Sequence, residues 1–323
     1  MWLGVDGGGT KTEALLVDRT RVLGFQKTGP SNHQGVGMDA AVAAIQDAVN
    51  GVLVHGGYRL HQVEGVVLGL AGADFPEDVD ELSQRLTLVF GQVPFRVVND
   101  AVIALHAGTD KGWGIAAIAG TGGNVFGLSP DGRGRQVGGL GYEYGDYGSG
   151  IDIARDVLHY AFRSAERRGP KTALENAVLG MLGFPSYSAL SHAMYRKQIA
   201  PEVFLVLAPV CFSAACDQDP VAINILQRQG RAIAESVVGC ARLLDMETEL
   251  IDVVLAGSLW LGQAPHMKDA LVQTLARDLP KAQVALTDLK PVAGAALLAM
   301  REKEGTRPLR ETLRRDVRFT GVE

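Results

Sequence analysis

The sequence predicts an α/β protein made of two related halves. Short apolar runs of strand length alternate with longer segments whose apolar residues follow helical spacing. A pattern of strand, glycine-rich loop, strand and turn opens the chain and occurs a second time from Gly114 onward. The chain has 323 residues, which is more than one hydrophobic core usually supports. Together these observations predict two domains of the same class.

The first half begins with a predicted hairpin. Apolar runs at residues 3–5 and 14–17 lie on either side of a glycine cluster, and the turn residues 18–20 end the second run. The elements predicted after the hairpin are a strand over 21–27, a helix over 38–54, a strand over 63–70, a helix over 79–90 and a strand over 95–100.

The second half repeats this pattern with apolar runs at 114–119 and 125–128, separated by GTGGN and closed by SPDGRG. The loop GGLGYEYGDYGSG that follows is too long and too rich in glycine to be a simple connector, and such loops are often functional. The elements predicted after it are a helix over 152–165, a largely helical region over 171–247, a buried strand over 251–256, an alanine-rich helix over 291–300 and a solvated helix from 301 onward.

Composition and charge argue against several classes of function. Hydrophobic residues make up 47% of the chain and charged residues 21%, and no apolar run approaches the roughly 20 residues that cross a bilayer. The N-terminus has no secretory signal pattern, so we expect a cytoplasmic protein without a membrane partner. The net charge of -5 offers no electrostatic reason to expect nucleic acid as a partner.

Cysteine and histidine spacing offers no metal motif. Cys211, Cys216 and Cys240 form no C-x-x-C pair, which argues against a disulfide framework and against a zinc ribbon. The 7 histidines show no ligand spacing either. We therefore expect buried free thiols.

The motif DGGGTKT at residues 6–12 ends the first predicted strand. It does not fit a P-loop, because Thr10 separates Gly9 from Lys11 and the segment that follows resembles a strand. It does not fit a dinucleotide-binding fingerprint either, because Thr12 stands where the third glycine belongs.

Two interpretations of this motif stay open. In the first, the hairpin tip binds phosphate through backbone N–H groups and the hydroxyls of Thr10 and Thr12, with glycines that allow close approach and positive φ. Asp6, at the strand end, would then hold a hydrated Mg²⁺. In the second, the glycines only form an ordinary turn.

Two further loops favour phosphate binding. GTGGN at 120–124 is a second glycine loop between predicted strands, so hairpin tips from both halves could contact the phosphates. LAGS at 255–258 is a third glycine turn after a buried strand and suits packing against an adenine or a ribose.

Four polar residues are candidates for the acceptor end of a reaction. Asp100 follows a predicted strand, where it could orient a hydroxyl and accept its proton, or could only cap the next helix. Asp146, in the long loop, could bind vicinal sugar hydroxyls or form a turn. Asn32 and His33 could contact the same ligand or lie in a polar surface loop.

The motifs occur in a recognisable order. GVDGGGTKTEALLVD, PSNH, AGAD, NDAVIAL, AGTGGN, GGLGYEYGDYGSG and LAGS follow one another over about residues 1–300. In this order they resemble the N-acetylglucosamine kinase and BadF/BadG/BcrA/BcrD ATPase family of the actin-like, Hsp70-like and sugar kinase superfamily. The ordered set is specific for the superfamily and less specific for the substrate.

The resemblance implies two ribonuclease H-like domains with ATP and Mg²⁺ in the cleft between them. The expected domains are 1–108 and 109–300, the second with a helical insertion, and the C-terminal helix 301–323 is a candidate addition to the first. We further expect a small-molecule sugar substrate and a homodimer.

The resemblance also implies roles for single residues. Asp100 resembles the catalytic base, and Asp6 is expected to hold Mg²⁺ through water. The nucleotide-binding residues implied are Gly8, Gly9, Thr10, Lys11, Thr12, Thr121, Gly122, Gly257 and Ser258. The sugar-binding residues expected are Asn32, His33, Asp100, Gly123, Asn124, Gly141 and Asp146.

Two positions depart from the family's sugar loop, which commonly has GGWG followed by GDEGS. This chain has Leu140 for the tryptophan and Tyr147 for the glutamate. The expected function is an ATP-dependent kinase that phosphorylates N-acetylglucosamine or glucosamine, most simply on the 6-hydroxyl. The alternatives are a family ATPase that activates a dehydratase or reductase through an iron–sulfur cluster held by cysteines, and a sensor that binds ATP and sugar without turnover.

Overall fold

The computed structural model describes residues 1–301 and 305–321 and contains two β-sheets of the same topology. In each, three antiparallel strands continue into two parallel ones. The first sheet has the spatial order β3 (Val22–Thr28), β2 (Thr12–Val17), β1 (Trp2–Gly7), β4 (Gly65–Leu70) and β5 (Phe95–Asn99). The second has the equivalent order β8 (Gly134–Val137), β7 (Gly123–Leu128), β6 (Gly114–Ala119), β9 (Asp252–Ala256) and β10 (Gln283–Leu286). The predicted α/β class and internal repeat are confirmed.

The helices predicted over 38–54, 79–90, 152–165 and 291–300 are present close to those bounds, whereas His33–Val36 and His266–Asp278 form helices that were not predicted. Those of the first half are α1 (His33–Val36), α2 (Met38–Gly56), α3 (Pro76–Phe90) and α4 (Asp100–Gly108). Those of the second half are α5 (Gly150–Ala165), α6 (Leu174–Leu182), α7 (Tyr187–Tyr195), α8 (Leu207–Cys216), α9 (Pro220–Leu243) and α10 (His266–Asp278). The chain ends with α11 (Pro291–Arg301) and α12 (Arg307–Arg315). α3 begins earlier than predicted, because Pro76 suits a first helical turn and Asp78 accepts a hydrogen bond from Phe75 N.

The first sheet is covered by helices on both faces, which explains its nearly continuous apolar strands. Alternate residues of β1 and β2 point to opposite faces. Leu3 and Leu16 belong to the core formed with α2 and α3, whereas Trp2 and Leu15 belong to the core formed with α4 and α11. Since α4 lies on this sheet, its first residue Asp100 is held in a fixed position at the sheet's edge.

The helix α11 packs against the first half, although the predicted range 109–300 assigned it to the second. Its buried residues share a core with β1 and α4. The approach is close, because a Cβ on Gly294 would lie 2.0 Å from the Ile103 carbonyl oxygen. We therefore propose that the first domain contains 1–108 together with α11 and α12. The domain bounds themselves remain predictions.

The C-terminal region 301–323 was expected to be a solvated helix, and for α12 this is wrong. Leu309 and Leu313 are buried in the core of the first half, as is the side chain of Arg310. Leu309 and Leu313 are four residues apart, and two apolar residues are too few to indicate a buried helix face among so many charges. Residues 302–304 and 322–323 of that prediction lie outside the described residues.

The helical region of the second half forms its own core around α5, α8 and α9. Among the described residues, no single helix is long and apolar enough to cross a membrane. Two helical segments, Glu202–Cys216 and Pro220–Leu243, are together long and apolar enough by length and composition alone, but they meet at a bend of 116°.

Candidate active site

Asp100 is the first residue of α4, directly after β5. The N-cap is its neighbour Asn99, whose Oδ1 accepts a hydrogen bond from Ala101 N at 2.9 Å. The interpretation of Asp100 as the cap is therefore wrong. Burial and the nearby carboxylate of Asp74 raise the pKa of Asp100 to about 6, against the opposing effect of backbone N–H groups. A carboxylate with a pKa near neutrality is suited to accept a proton.

Asp6 lies at the end of β1 among other carboxylates. Burial first, then Glu13 and Asp100, raise the pKa of Asp6 to about 7, and Lys11 opposes them. Carboxylates in a buried place repel one another, and a divalent cation relieves this repulsion. In the described part of the chain, no three or more His, Cys, Asp or Glu side chains are placed to hold a metal ion. The role of Asp6 as a ligand of Mg²⁺ through water stays a prediction.

Glu13 is a site residue that sequence reasoning missed. It pairs with Asp6 across β1 and β2, is only 4% exposed, and lies 2.5 Å from Lys11 Nζ. Its second carboxylate oxygen, Oε2, is buried without a hydrogen-bond partner. Such an oxygen costs free energy unless a cation or proton approaches it. A charged residue at the start of an otherwise apolar strand was the available signal.

The first glycine loop is a tight turn in which Gly8 N donates to Lys11 O at 2.9 Å. Gly9 and Thr10 form its exposed tip, and nothing lies within 4 Å of a Cβ built on Gly9. The expectation of positive φ at these glycines is wrong, since neither Gly8 nor Gly9 has one. Their small size, which leaves room for a ligand beside the backbone, is the property that the loop uses.

Thr12 does not face a ligand. Its side chain is fully buried, and its hydroxyl oxygen lies 2.7 Å from Gly29 O and 2.8 Å from Ser31 Oγ. The predicted direct contact between the Thr12 hydroxyl and phosphate therefore does not match this structure. Thr12 instead holds the residues after β3 against the hairpin, and Thr10 is left as the exposed hydroxyl at the tip.

The PSNH segment lies beside the first glycine loop. Ser31 N and Asn32 N both donate to Gly8 O, at 3.0 and 3.2 Å. Asn32 caps the short helix α1, because its Oδ1 accepts a hydrogen bond from Gln34 N at 3.0 Å. His33 Nδ1 is buried without a partner. Asn32 thus lies beside Gly8 of the first glycine loop, and the sugar-binding role of Asn32 and His33 stays a prediction.

The second glycine loop is held by the start of α5. Gly120 N donates to Gly122 O at 2.9 Å, while Gly150 N and Ile151 N donate to the carbonyl oxygens of Gly120 and Thr121. The first amides of α5 therefore bind the loop itself. Thr121 and Gly122 remain exposed, which leaves room for a ligand beside the loop.

The third glycine turn joins β9 to a short 3₁₀ turn, Ser258–Leu261. Gly257 has φ +105°, and a Cβ at this position would lie 2.3 Å from Ala119 O. Only glycine fits here, because β9 approaches β6 closely and the backbone is left-handed. A largely apolar cavity of about 410 Å³ borders Ser258, Phe212 and Leu259.

The long loop forms the largest part of another cavity, of about 370 Å³. The predicted sugar-binding residues Gly123, Asn124, Gly141 and Asp146 all line it. Asp146 also organises the loop, because its Oδ2 accepts hydrogen bonds from Leu140 N at 2.7 Å and Gly141 N at 2.6 Å. The predicted residues of the first half, Asn32, His33 and Asp100, are not part of its lining.

Tyr147, which departs from the family pattern, attaches the same loop to α5. Its hydroxyl donates a hydrogen bond to Asp156, and this carboxylate also accepts one from Gln229 Nε2 at 3.2 Å. The ring lies 5.5 Å from the guanidinium of Arg228. Tyr147 thus has a set of partners on the helices below the loop. Leu140, the other departure, is 39% exposed at the cavity rim.

The three cysteines are free thiols, as predicted, but the expected burial is wrong for Cys216. Cys211 and Cys240 are buried and Cys216 is exposed. Burial raises the pKa of the Cys240 thiol to about 12 and raises that of Cys211 as well. Both buried thiols are therefore protonated at neutral pH when no metal is bound.

The fold and the loops define a class of protein. Two equivalent five-stranded sheets, each with a glycine-rich hairpin tip, form the architecture of actin-like ATPases and of the ROK kinases solved with this fold. A model of the BadF/BadG/BcrA/BcrD ATPase family matches residues 3–299. The chain belongs to this family.

Two relatives match almost the whole chain. The N-acetylmuramic acid/N-acetylglucosamine kinase of Clostridium acetobutylicum is 30% identical over 302 residues, which cover 93% of this chain and 98% of that protein. The N-acetyl-D-glucosamine kinase of Dictyostelium discoideum is 30% identical over 316 residues, which cover 94% of this chain and 99% of that protein.

Solved structures agree with the fold. A candidate N-acetylglucosamine kinase from Chromobacterium violaceum superposes with a TM-score of 0.71 at 26% identity, covering 92% of this chain and 98% of that one. A ROK family glucokinase from Streptomyces griseus, solved with glucose and AMPPNP, superposes with a TM-score of 0.58 at 25% identity, covering 93% of this chain and 99% of that one.

Proposed function

We propose that this protein is an ATP-dependent amino sugar kinase acting on N-acetylglucosamine or glucosamine, with the 6-hydroxyl as the acceptor. The observation that carries the proposal is Asp100, a carboxylate with a pKa of about 6 at the start of α4 that is not used as the helix cap. The sugar class rests on the two relatives that are 30% identical, both named as N-acetylglucosamine kinases.

Asp100 would orient the sugar hydroxyl and accept its proton. In the reaction, the hydroxyl oxygen forms a bond to the γ-phosphorus, and the bond from this phosphorus to the bridging oxygen of ADP breaks. The proton of the hydroxyl passes to the Asp100 carboxylate. Because phosphoryl transfer needs little covalent help from the protein, positioning and charge stabilisation supply most of the rate.

The phosphates would bind to exposed backbone N–H groups of the two glycine loops, with Thr10 and Lys11 on one side and Thr121 and Gly122 on the other. Mg²⁺, when bound, offsets the negative charge of the phosphates. Asp6 would hold it through water, and the buried, unpartnered Oε2 of Glu13 supports a cation in this place.

The sugar would lie in the cavity lined by Gly123, Asn124, Gly141 and Asp146. Asn124 Oδ1 is buried without a partner, so it can accept a hydrogen bond from a sugar hydroxyl. The adenine would lie in the apolar cavity beside Ser258, which offers stacking surface and few polar groups.

The test is ADP release from the purified protein with ATP, Mg²⁺ and one sugar at a time. The panel contains N-acetylglucosamine, glucosamine, N-acetylmuramic acid, N-acetylmannosamine and glucose. We expect release to rise severalfold over the sugar-free rate with at least one amino sugar. The same rate with every sugar would overturn the proposal.

No observation among the described residues favours the alternative of electron transfer to a dehydratase or reductase. The alternative of a non-catalytic sensor is supported only by the departures at Leu140 and Tyr147. Binding of sugar and ATP without release of ADP would favour it. A homodimer and a cytoplasmic location stay predictions, which light scattering and cell fractionation would test.

A further inference from the structure

Four polar side chains connect the two halves beside Asp100. Asp74, in the loop after β4, accepts hydrogen bonds at Oδ1 from Asn99 Nδ2 at 2.9 Å and from Gln136 Nε2 at 3.3 Å. Asn99 accepts a hydrogen bond at Oδ1 from Asn124 Nδ2 at 3.1 Å. The result is a chain of hydrogen bonds in the order Gln136, Asp74, Asn99, Asn124.

This series of hydrogen bonds starts and ends on the second sheet but passes through the first half. Gln136 lies on β8 and Asn124 on β7, which are antiparallel neighbours. Asp74 and Asn99 follow β4 and end β5 of the first sheet. Two of the three hydrogen bonds therefore cross between the halves, and both are lost if the halves separate.

Asn99 links these hydrogen bonds to α4, the helix that begins with Asp100. The oxygen that accepts from Asn124 also accepts from Ala101 N at 2.9 Å and thereby caps α4. Asn99 is only 7% exposed, and its Nδ2 is 3.4 Å from Ala73 O as well as 2.9 Å from Asp74. Its amide thus has one orientation that satisfies all of these partners, and Asp100 is the next residue.

Gln136 links these hydrogen bonds to the loop of the cavity proposed to bind the sugar. Its Nε2 also donates to Gly138 O at 3.1 Å, at the beginning of the loop that lines this cavity. Asn124, at the other end of the chain, lines the cavity directly. Both residues of the second half are therefore placed to respond when a sugar orders the loop.

We propose that Asp74 and Gln136 are positioning residues whose hydrogen bond couples the approach of the two halves to the orientation of Asn99 and, through it, of Asp100. This inference rests on the proposed kinase function. Asp74 is the central acceptor because its Oδ1 serves donors from both halves. A hydrogen bond to a charged carboxylate is stronger than one between neutral groups, so its loss has a measurable effect on alignment.

The test compares Gln136→Leu with Gln283→Leu, the same replacement on the exposed edge strand at the other side of the second sheet. Turnover is measured with the sugar that gives the highest ADP release. We expect Gln136→Leu to lower kcat about tenfold, with the KM for ATP within about twofold and an unchanged melting temperature. Gln283→Leu should match the unmodified protein in all three.

Two variants of Asp74 separate positioning from a general structural effect. Asp74→Asn keeps an oxygen acceptor for both donors, so we expect it to retain more activity than Asp74→Ala. Because both residues act through one hydrogen bond, the double variant Asp74→Ala/Gln136→Leu should be no slower than Asp74→Ala. Multiplying losses in the double variant would overturn the inference.

The outcomes distinguish this inference from the proposed function. If the unmodified protein releases no ADP above background with any sugar, the proposed function fails. If it does, but Gln136→Leu behaves like Gln283→Leu, the function stands and the inference is wrong. Small-angle scattering adds a second readout: sugar should reduce the radius of gyration of the unmodified protein and of Gln283→Leu, but not of Gln136→Leu.

Discussion

The guanidinium of Arg310 donates a hydrogen bond to the carbonyl oxygen of Ala107 at 2.8 Å, at the end of the helix that Asp100 begins. It also binds the carbonyl oxygens of His106 and Thr109 and the carboxylate of Asp110. Arg310 therefore supplies hydrogen-bond donors to the carbonyl oxygens at the end of α4, just before the chain enters the second half.

We expect Arg310→Met to lower the free energy of unfolding by about 2–4 kcal/mol, because several carbonyl oxygens lose their buried donor. The measurement is denaturant unfolding. Arg315→Met, on the exposed side of the same helix, is the control and should change stability by less than about 0.5 kcal/mol. Equal effects of the two variants would contradict this role of Arg310.

Asp100→Asn should lower kcat by orders of magnitude and leave ATP affinity nearly unchanged. The base and the nucleotide contacts are separate groups, so only the transition-state interaction is removed. Turnover and calorimetric ATP binding measure the two effects. Undiminished turnover would show that Asp100 is not the base.

The activity should depend on the ionisation of Asp100. Because its pKa is about 6, kcat/KM should rise with pH through this value and be lost at lower pH, where the carboxyl is protonated. A pH profile of kcat/KM for the sugar, at saturating ATP and Mg²⁺, measures this. A flat profile between pH 5 and 7 would exclude this group as the titrating base.

The ionised carboxylate of Asp6 should lower the free energy of unfolding when no cation is present. Its folded pKa of about 7 lies above the ordinary value of 3.8, so the folded protein binds more protons and loses stability as pH rises between these values. At pH 8 without Mg²⁺, Asp6→Asn should raise the melting temperature by about 2–6 °C. Asp47→Asn, exposed on α2, is the control, and a lower melting temperature for Asp6→Asn would contradict the prediction.

Thr10 and Thr12 should have different effects although they are two residues apart. Thr12→Val removes buried hydrogen bonds to Gly29 and Ser31 and should lower the free energy of unfolding by about 1–3 kcal/mol. Thr10→Val, at the exposed tip, should leave stability unchanged and raise the KM for ATP. Unfolding and ATP titration of both variants test this, and the reverse pattern would contradict it.

Much of the fold could be predicted because its signals are local. Short apolar runs on either side of the repeated glycine loops indicated β1, β2, β6 and β7, and each is present in the structure. The bounds of helices were less accurate, as for α3, because capping hydrogen bonds decide where a helix starts. The packing of α11 against the first half could not be predicted, since sequence order says nothing about which sheet an apolar helix covers.

The site was predictable only in part. Asp6, Asp100 and the glycine loops stood out by motif and by position after a strand. Glu13 was missed because a single charge beside a motif has no distinctive spacing. Gln136 was missed because it lies 62 residues from its partner Asp74, and no local pattern indicates a contact at that separation.

Local sequence patterns were enough to predict two related α/β halves, the glycine loops at their strand ends and the family that these motifs resemble. Each depends on neighbouring residues, whose conformational preferences are set by short-range sterics and by the burial of apolar side chains. Long-range packing was needed to show that the Thr12 hydroxyl contacts Gly29 and Ser31, that α11 and Arg310 pack against the first half, and that Asp74 accepts a hydrogen bond from Gln136. These outcomes depend on which distant groups come into hydrogen-bond distance, and only the packing of the whole chain sets that.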